Sequence, residues 1–460
     1  MKVCSLGAVA AASLVFIASA GAGGTKPSST PAFSNTPLIA TWNGGVPTAP
    51  NANSTGDSEP AIAFGNDGRM AVDGLAWLPF QVNLWTGRFG STPSFFGGMD
   101  QSIPEPGNGR FGLGDGDADV DLASTGTLHL ADLDFIVNNH GGFQLGVSVT
   151  NCPTTATGPG GCKTIVLDKT EADREWITSL GRNVWVSYHD SANSTLIHVK
   201  KSTDDGASWQ TSGDPVVGQG QTTGSSTFNN IQGPIVADPT TGDVYDIYTS
   251  GTPQSKCCSA DFDHVYVSRS TDGGAHYTAA LVFSAPVAGT ALDNIFPSLA
   301  VDPVTGTVYA VWSDGSGIWE STSTDHGVTW SMALKVSTTA TSIMPWVAAR
   351  NGKADVVWYG SSRAQSDPSA VWNVYDAQSR GAGWTVQRVS NTPNRVGAVC
   401  TEGTGCTGGT NRELLDLFEV AEDPASGKAA IIYTDTTIDT WTDSSNVTHE
   451  LPEIVLAFER

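Results

Sequence analysis

Asp173-Arg174-Glu175-Trp176 places two acids, a cation and a large ring in four consecutive residues. A guanidinium between carboxylates can hold a substrate and shift the proton affinity of its neighbours. Asp173 and Glu175 are therefore candidate proton donors or nucleophiles, with Arg174 as a substrate contact. The same residues would serve equally well as an ion-pair latch between packed layers. His189, beside Asp190, offers a further base. The run from Asp115 to Asp121 alternates carboxylates with small or apolar residues, and hard oxygen ligands of this kind suit Ca2+, with Asp115, Asp117 and Asp119 as ligands. The EF-hand spacing fails, because Val120 stands where the loop glycine belongs and Gly126 where the bidentate glutamate belongs. An alternating-Asp strand facing water is the plainer reading. No HExxH, GxSxG, phosphate-loop or dinucleotide pattern occurs in a suitable context, so no cofactor is required by the sequence.

The 460 residues carry a formal charge of −23, which disfavours nucleic acid or an anionic membrane as partner. With 52 Gly, 24 Pro and only 15% charged residues, the composition suits many short strands and turns rather than long helices. Residues 1–22 read as a signal peptide: Lys2, an apolar stretch from Ala8 to Ile17, then small residues at Ala18-Ser19-Ala20 and Ala20-Gly21-Ala22. The stretch is too short to span a bilayer, and no later segment is apolar enough. A secreted or periplasmic, monomeric protein is expected. Six cysteines remain after Cys4 is removed, and an oxidising compartment favours disulfides. Cys152 with Cys162, and Cys400 with Cys406, bracket short Gly-rich loops suited to local bridges; the pairing of Cys257 and Cys258 stays open.

The elements that must position these residues announce themselves through repeats. Ser-x-Asp-x-Gly-x-x-aromatic occurs three times, at Ser202–Trp209, Ser270–Tyr277 and Ser323–Trp330. In each copy Ser and Asp side chains can bond nearby backbone N–H groups, the Gly takes a turn conformation, and the ring packs beneath. A longer unit surrounds them: an apolar strand, a turn with Gly, then a strand rich in Val and aromatics. Its turn glycines are Gly68, Gly126, Gly181, Gly242, Gly306, Gly352 and Gly427. A period near 40–60 residues with four strands per unit is the signature of propeller blades. The expected fold is an all-β propeller of seven four-stranded blades, with six as the alternative, spanning 37–460 behind a flexible 23–36 lead-in. The last unit lacks a fourth strand, and the segment Pro37–Trp42 is expected to supply it and close the ring.

The three Ser-x-Asp-x-Gly-x-x-aromatic copies resemble the Asp box of sialidase-like (BNR-repeat) propellers. The resemblance implies that the boxes are structural turns on the face opposite the active site. It also implies that residues ahead of each first strand, and at the ends of second strands, ring a central funnel. By that rule Glu59, Asn230, Asp293, Asn294, Arg412 and Glu413 join Arg174 as substrate-binding candidates. Asp119, Tyr359 and His189 join Asp173 and Glu175 as catalytic ones. Such a rim suits hydroxyl-rich ligands, and facing carboxylates can cleave glycosidic bonds. The family's Arg-Ile-Pro motif is absent, which argues against a standard sialidase. The expected function is a secreted glycan-acting enzyme, a glycoside hydrolase using funnel carboxylates. The alternatives are a non-catalytic glycan- or protein-binding propeller and a purely structural surface protein.

Overall fold

A computed structural model describes residues 32–40, 56–77, 80–99, 110–137, 143–169, 172–191, 196–216, 230–251, 262–380, 383–403, 406, 411–442 and 445–460. The expected signal peptide, most of the lead-in, and Cys257 and Cys258 lie outside these residues.

The chain forms seven antiparallel blades in a propeller ring. Blade 3 is representative. Its strands Ala172–Leu180, Asn183–Asp190, Ile197–Ser202 and Gln210–Thr211 pair in sequence order. The seven first-to-second-strand turns hold the glycines that mark the sequence period. All of them have φ between 64° and 95°, a backbone region costly for any residue bearing a Cβ.

Blade 7 contributes Glu419–Glu422, Ala429–Thr442 and Thr448–Glu459, and the N-terminal strand Phe33–Leu38 completes it, running from Phe33 opposite Glu459 to Leu38 opposite Ile454. Closure by an N-terminal strand is therefore as expected, but the strand begins four residues earlier than the sequence suggested. Its polar stretch hid it. Phe33 and Leu38 are buried, while Asn35 donates from Nδ2 to the Val389 carbonyl (3.0 Å) and accepts from the Tyr433 hydroxyl (2.8 Å). Residues that read as linker thus have fixed partners on blades 6 and 7.

The core lies between blades, where Trp176, Trp312, Trp358 and Trp372 are fully buried. Each large side chain so buried contributes about 1.5–3 kcal/mol. The first strand of a blade has a ladder partner on one side only, so its remaining N–H groups need acceptors. Neighbouring blades supply them from side chains. Ile62 N donates to Glu419 (2.9 Å), Ile177 N to Asp119 (2.8 Å), Ala237 N to Thr178 Oγ1 (3.4 Å) and Val347 N to Ser298 Oγ (3.3 Å). Each of these bonds joins the first strands of adjacent blades, which fixes how the blades sit around the axis.

The three Ser-x-Asp-x-Gly turns are superposable in their bonding. The serine hydroxyl donates to Asp Oδ1 at 2.8 Å in all three. It also accepts from the glycine N–H at 2.8–2.9 Å, and Asp Oδ1 accepts the N–H four residues on at 2.8–2.9 Å. Register fixes their location. Ser202 pairs with Val184, near the Leu180/Asn183 turn, whereas Asp173 pairs with His189 at the other end of the blade.

Candidate functional site

Strand alternation alone would send Asp173 and Glu175 to one side of blade 3 and Arg174 to the other. The structure interrupts that alternation with a bulge: Asp173 pairs with His189, Glu175 with Tyr188, and Arg174 is the extra residue at φ 62°. A bulge re-aims the side chain it carries. Here it sets the guanidinium 4.0 Å above the Trp176 ring and 5.7 Å from that of Phe296. From this stack Arg174 Nη1 reaches Glu59 at 3.3 Å and Asp117 at 3.6 Å, and Nη2 donates to the Ala118 carbonyl at 3.5 Å. One side chain thereby ties together blades 1, 2, 3 and the approach to blade 5.

Of these residues Asp117, Arg174 and Phe296 line a cavity of about 910 Å³ at the strand ends opposite the Ser-x-Asp-x-Gly turns. Asp117, Asp173, Arg174, His189, Asp293, Asn294 and Arg412 line it, seven of the residues that the sequence nominated. Arg412 is paired with Asp416. Asp173 is exposed to the cavity yet enclosed by its walls, as expected at the bottom of a concave site. That enclosure, reinforced by Asp117 and Asp416 and opposed by Arg174 and Arg412, pushes its carboxyl up to about 7. Burial likewise raises Asp293 to about 6, and raises Glu59 and Asp416. Among the described residues the Asp173 carboxylate has no hydrogen-bonding partner.

Other nominated residues serve elsewhere. Asp119 is buried and accepts the Ile177 N–H, a latch between blades 2 and 3. Tyr359 is fully buried, and its hydroxyl accepts the Thr434 N–H at 2.9 Å between blades 6 and 7. Glu413 pairs with Arg395 at 2.9 Å, and Asn230 is buried; neither lines the cavity. Glu175, carried past the bulge, is wholly buried with both carboxylate oxygens unpaired among the described residues, and burial holds its carboxyl well above the usual range. Glu59 lies beneath Arg174 rather than on the cavity surface. Only the backbone of Asp115 is described. Asp117 and Asp119 are engaged by Arg174 and by Ile177, and no cluster of three metal-ligating side chains occurs among the described residues.

Sequence reasoning missed Asp416, Gln232, Phe296 and the wall formed by Ala398–Gly403. Asp416 stands four residues after Arg412, just ahead of a first strand, so the rule that nominated Arg412 reaches it too. The wall carries the Cys400–Cys406 disulfide; the second expected bridge, Cys152–Cys162, closes a loop on blade 2.

No family model matches the chain, and no curated protein does. Among solved structures, the chain is similar to an α-L-arabinofuranosidase from Fusarium graminearum in complex with an iminosugar inhibitor (12% identity, 66% of this chain and 88% of that one, TM-score 0.44). It is also similar to a sialidase from Streptococcus pneumoniae (11% identity, 92% and 71%, TM-score 0.43). A third is the intramolecular trans-sialidase from Ruminococcus gnavus (12% identity, 86% and 93%, TM-score 0.39). What the funnel can do follows from its own residues.

Proposed function

We propose that the funnel binds a glycan and hydrolyses a glycosidic bond, with Asp173 as the proton donor. The observation that carries this reading is the gathering of Asp117, Asp173 and Asp416 with two guanidiniums around one cavity, with Glu59 beneath Arg174. A carboxyl held near neutrality, open to the cavity and unpartnered, is poised to protonate a leaving oxygen. Asp117, anchored by Arg174, is the partner carboxylate that acts on the other side of the sugar ring. His189, opposite Asp173 in the ladder, and Asn294 on the far wall supply hydrogen bonds to hydroxyls. Both cavity arginines already face carboxylates, so the sugar at the cleavage point is neutral rather than sialic or uronic. We read the three Ser-x-Asp-x-Gly turns as Asp boxes of sialidase-like propellers, and the chain as an exported one, in keeping with its disulfides.

The test is product release from a panel of neutral, uronic and sialylated oligosaccharides and aryl glycosides, with and without calcium. Turnover of a neutral substrate is expected, and Asp173→Asn should lower kcat by about 10²–10⁴-fold while the fold persists. Binding without turnover would replace this reading with that of a non-catalytic glycan-binding propeller. Neither binding nor turnover would remove the glycan reading altogether.

A further inference from the structure

On the two outer strands of blade 4, three side chains outside the lining of the funnel cavity form a hydrogen-bonded chain. Asp263 Oδ1 bonds His264 Nδ1 at 2.5 Å, and His264 Nε2 lies 3.2 Å from Ser284 Oγ. With Nδ1–H donating to Asp263, Nε2 is left as the acceptor for the serine hydroxyl. Asp263 is 3% exposed, and its second oxygen accepts the Gly289 N–H at 3.1 Å, so the carboxylate is fixed on both sides. His264 stacks on Tyr266 with ring centroids 6.1 Å apart and planes inclined by 15°, which holds the imidazole plane. Ser284 is exposed. We propose that Ser284, His264 and Asp263 form a second catalytic site, a serine esterase acting on carboxylic esters with a small apolar acyl group.

Strand register provides the remaining requirement. Ala285 N donates to the Asp263 carbonyl at 2.8 Å, which makes 263/285 a hydrogen-bonded pair. By alternation His264 and Ser284, which are directly opposite, form the non-hydrogen-bonded pair, where side chains approach most closely. In such a pair the main-chain N–H points away from the partner strand. Thr278–Ser284 is the outermost strand of its blade, so the Ser284 N–H faces outward from the sheet, with no partner among the described residues. A nucleophile's own N–H is a standard oxyanion donor. Ser284 also borders a cavity of about 720 Å³ lined by Leu281, Phe283, Leu292, Trp319 and Met332, an apolar pocket for the acyl chain.

The reaction balances with water alone. Ser284 Oγ attacks the ester carbonyl carbon as its proton passes to His264 Nε2. The C–O bond to the alcohol then breaks, and His264 returns the proton to the departing alcohol. Water, deprotonated by His264, next attacks the acyl-serine, releasing the carboxylic acid and restoring Ser284. Asp263 is a positioning residue that keeps the imidazole in the required tautomer.

The full chain would be treated with a fluorophosphonate probe and assayed on p-nitrophenyl acetate and butyrate. The expected results are a single adduct mapped to Ser284 and ester hydrolysis abolished by Ser284→Ala. His264→Gln should lower the rate by about 10²-fold or more. Asp263→Asn should lower kcat with little change in KM, the mark of lost positioning rather than lost binding. Asp173→Asn should leave the esterase untouched. Ser284 and His264 reach the surface and Asp263 is buried, so folding is checked by circular dichroism for each variant. Absence of a Ser284 adduct on the folded chain, or hydrolysis that survives Ser284→Ala, would overturn the proposal.

Discussion

Asp173 at the funnel floor and Asp204 or Asp325 at the far-face turns are the same residue type in opposite surroundings. Asp173 is enclosed, lies near other carboxylates and receives no hydrogen bond among the described residues; burial first, then Asp117 and Asp416, raise its carboxyl to about 7. Asp204 and Asp325 lie partly exposed at the surface, and hydrogen bonds from serine or threonine hydroxyls and nearby backbone N–H groups lower each to about 2. The difference lies in who supplies donors. The far-face turns satisfy both oxygens of each aspartate internally. The funnel floor leaves an acceptor unsatisfied, which is a liability for folding and an opportunity for binding.

This contrast has its largest expression in pH. A carboxyl whose folded value is raised binds its proton more tightly in the folded state, so the cost of ionising it grows as pH rises from about 4 to about 7. Asp173→Asn removes that cost. Thermal melts should show the variant matching the native protein near pH 3.5 and exceeding it at pH 8, while native turnover falls as pH rises through about 7 because the proton donor is lost. The far-face aspartates behave oppositely. Their stabilisation is complete above about pH 4 and disappears as pH falls through about 2. A native protein more stable than Asp173→Asn at pH 8 would break the comparison.

Arg174 is the residue that makes the funnel tolerable. It is 2% exposed and offsets Glu59 and Asp117 at the same time. Replacing it by Met keeps the bulk over Trp176 but strands those carboxylates. Removing one partner of a buried ion pair costs about 3–5 kcal/mol, and urea unfolding should read a loss of that order. Such a loss should shrink at low pH, where the stranded acids are protonated; a loss independent of pH would assign the effect to packing alone.

The periodic part of this architecture was legible in the sequence, because a turn that needs φ near 70° admits few residues and glycine marks it seven times. Position was legible in part: Asp117, Asp173, Asp293 and Arg412, nominated ahead of first strands, line one cavity, whereas Asn230 and Glu413 do not. Direction was not. Asp119 and Glu175 lie on the same first strands as Asp117 and Arg174, and a register shift between Gly114 and Ala118, a bulge at Arg174 and a bond to Ile177 decide which side chains face the cavity. Bulges leave no clear sequence signal when the extra residue is arginine rather than glycine. Phe33–Leu38 escaped for a related reason: its pairing depends on Asn35 contacts more than 300 residues away in sequence, which no local pattern encodes.

The cavity wall separates the two faces in a further way. The Ser-x-Asp-x-Gly turns close themselves with hydrogen bonds, whereas Ala398–Gly403 is tied by the Cys400–Cys406 bridge. Closing so short a loop is worth roughly 2 kcal/mol in the chain-entropy model. Replacing both cysteines by serine should lower stability by up to that amount and raise KM for a funnel ligand with little change in kcat. Equal KM values for the two proteins would mean that the wall is held by its other contacts and the bridge is incidental to binding.

The smallest effect belongs to the far face and is also the sharpest control. Ser202 is buried, and its hydroxyl both accepts from Gly206 N at 2.9 Å and donates to Asp204 at 2.8 Å. Ser202→Ala therefore orphans two N–H groups, of Asp204 and Gly206, and one carboxylate contact at a turn with two sister copies. The expected loss is about 1 kcal/mol in urea unfolding, the usual net worth of such a hydrogen bond. Kinetics at the funnel should not change, because register places Ser202 and Asp173 at opposite ends of the same blade. Since Ser202 and Asp173 share blade 3, a fall in turnover on Ser202→Ala would show that strain at the turn is transmitted along the strands. The two ends would then act as one unit rather than as a closed structural turn and an open site.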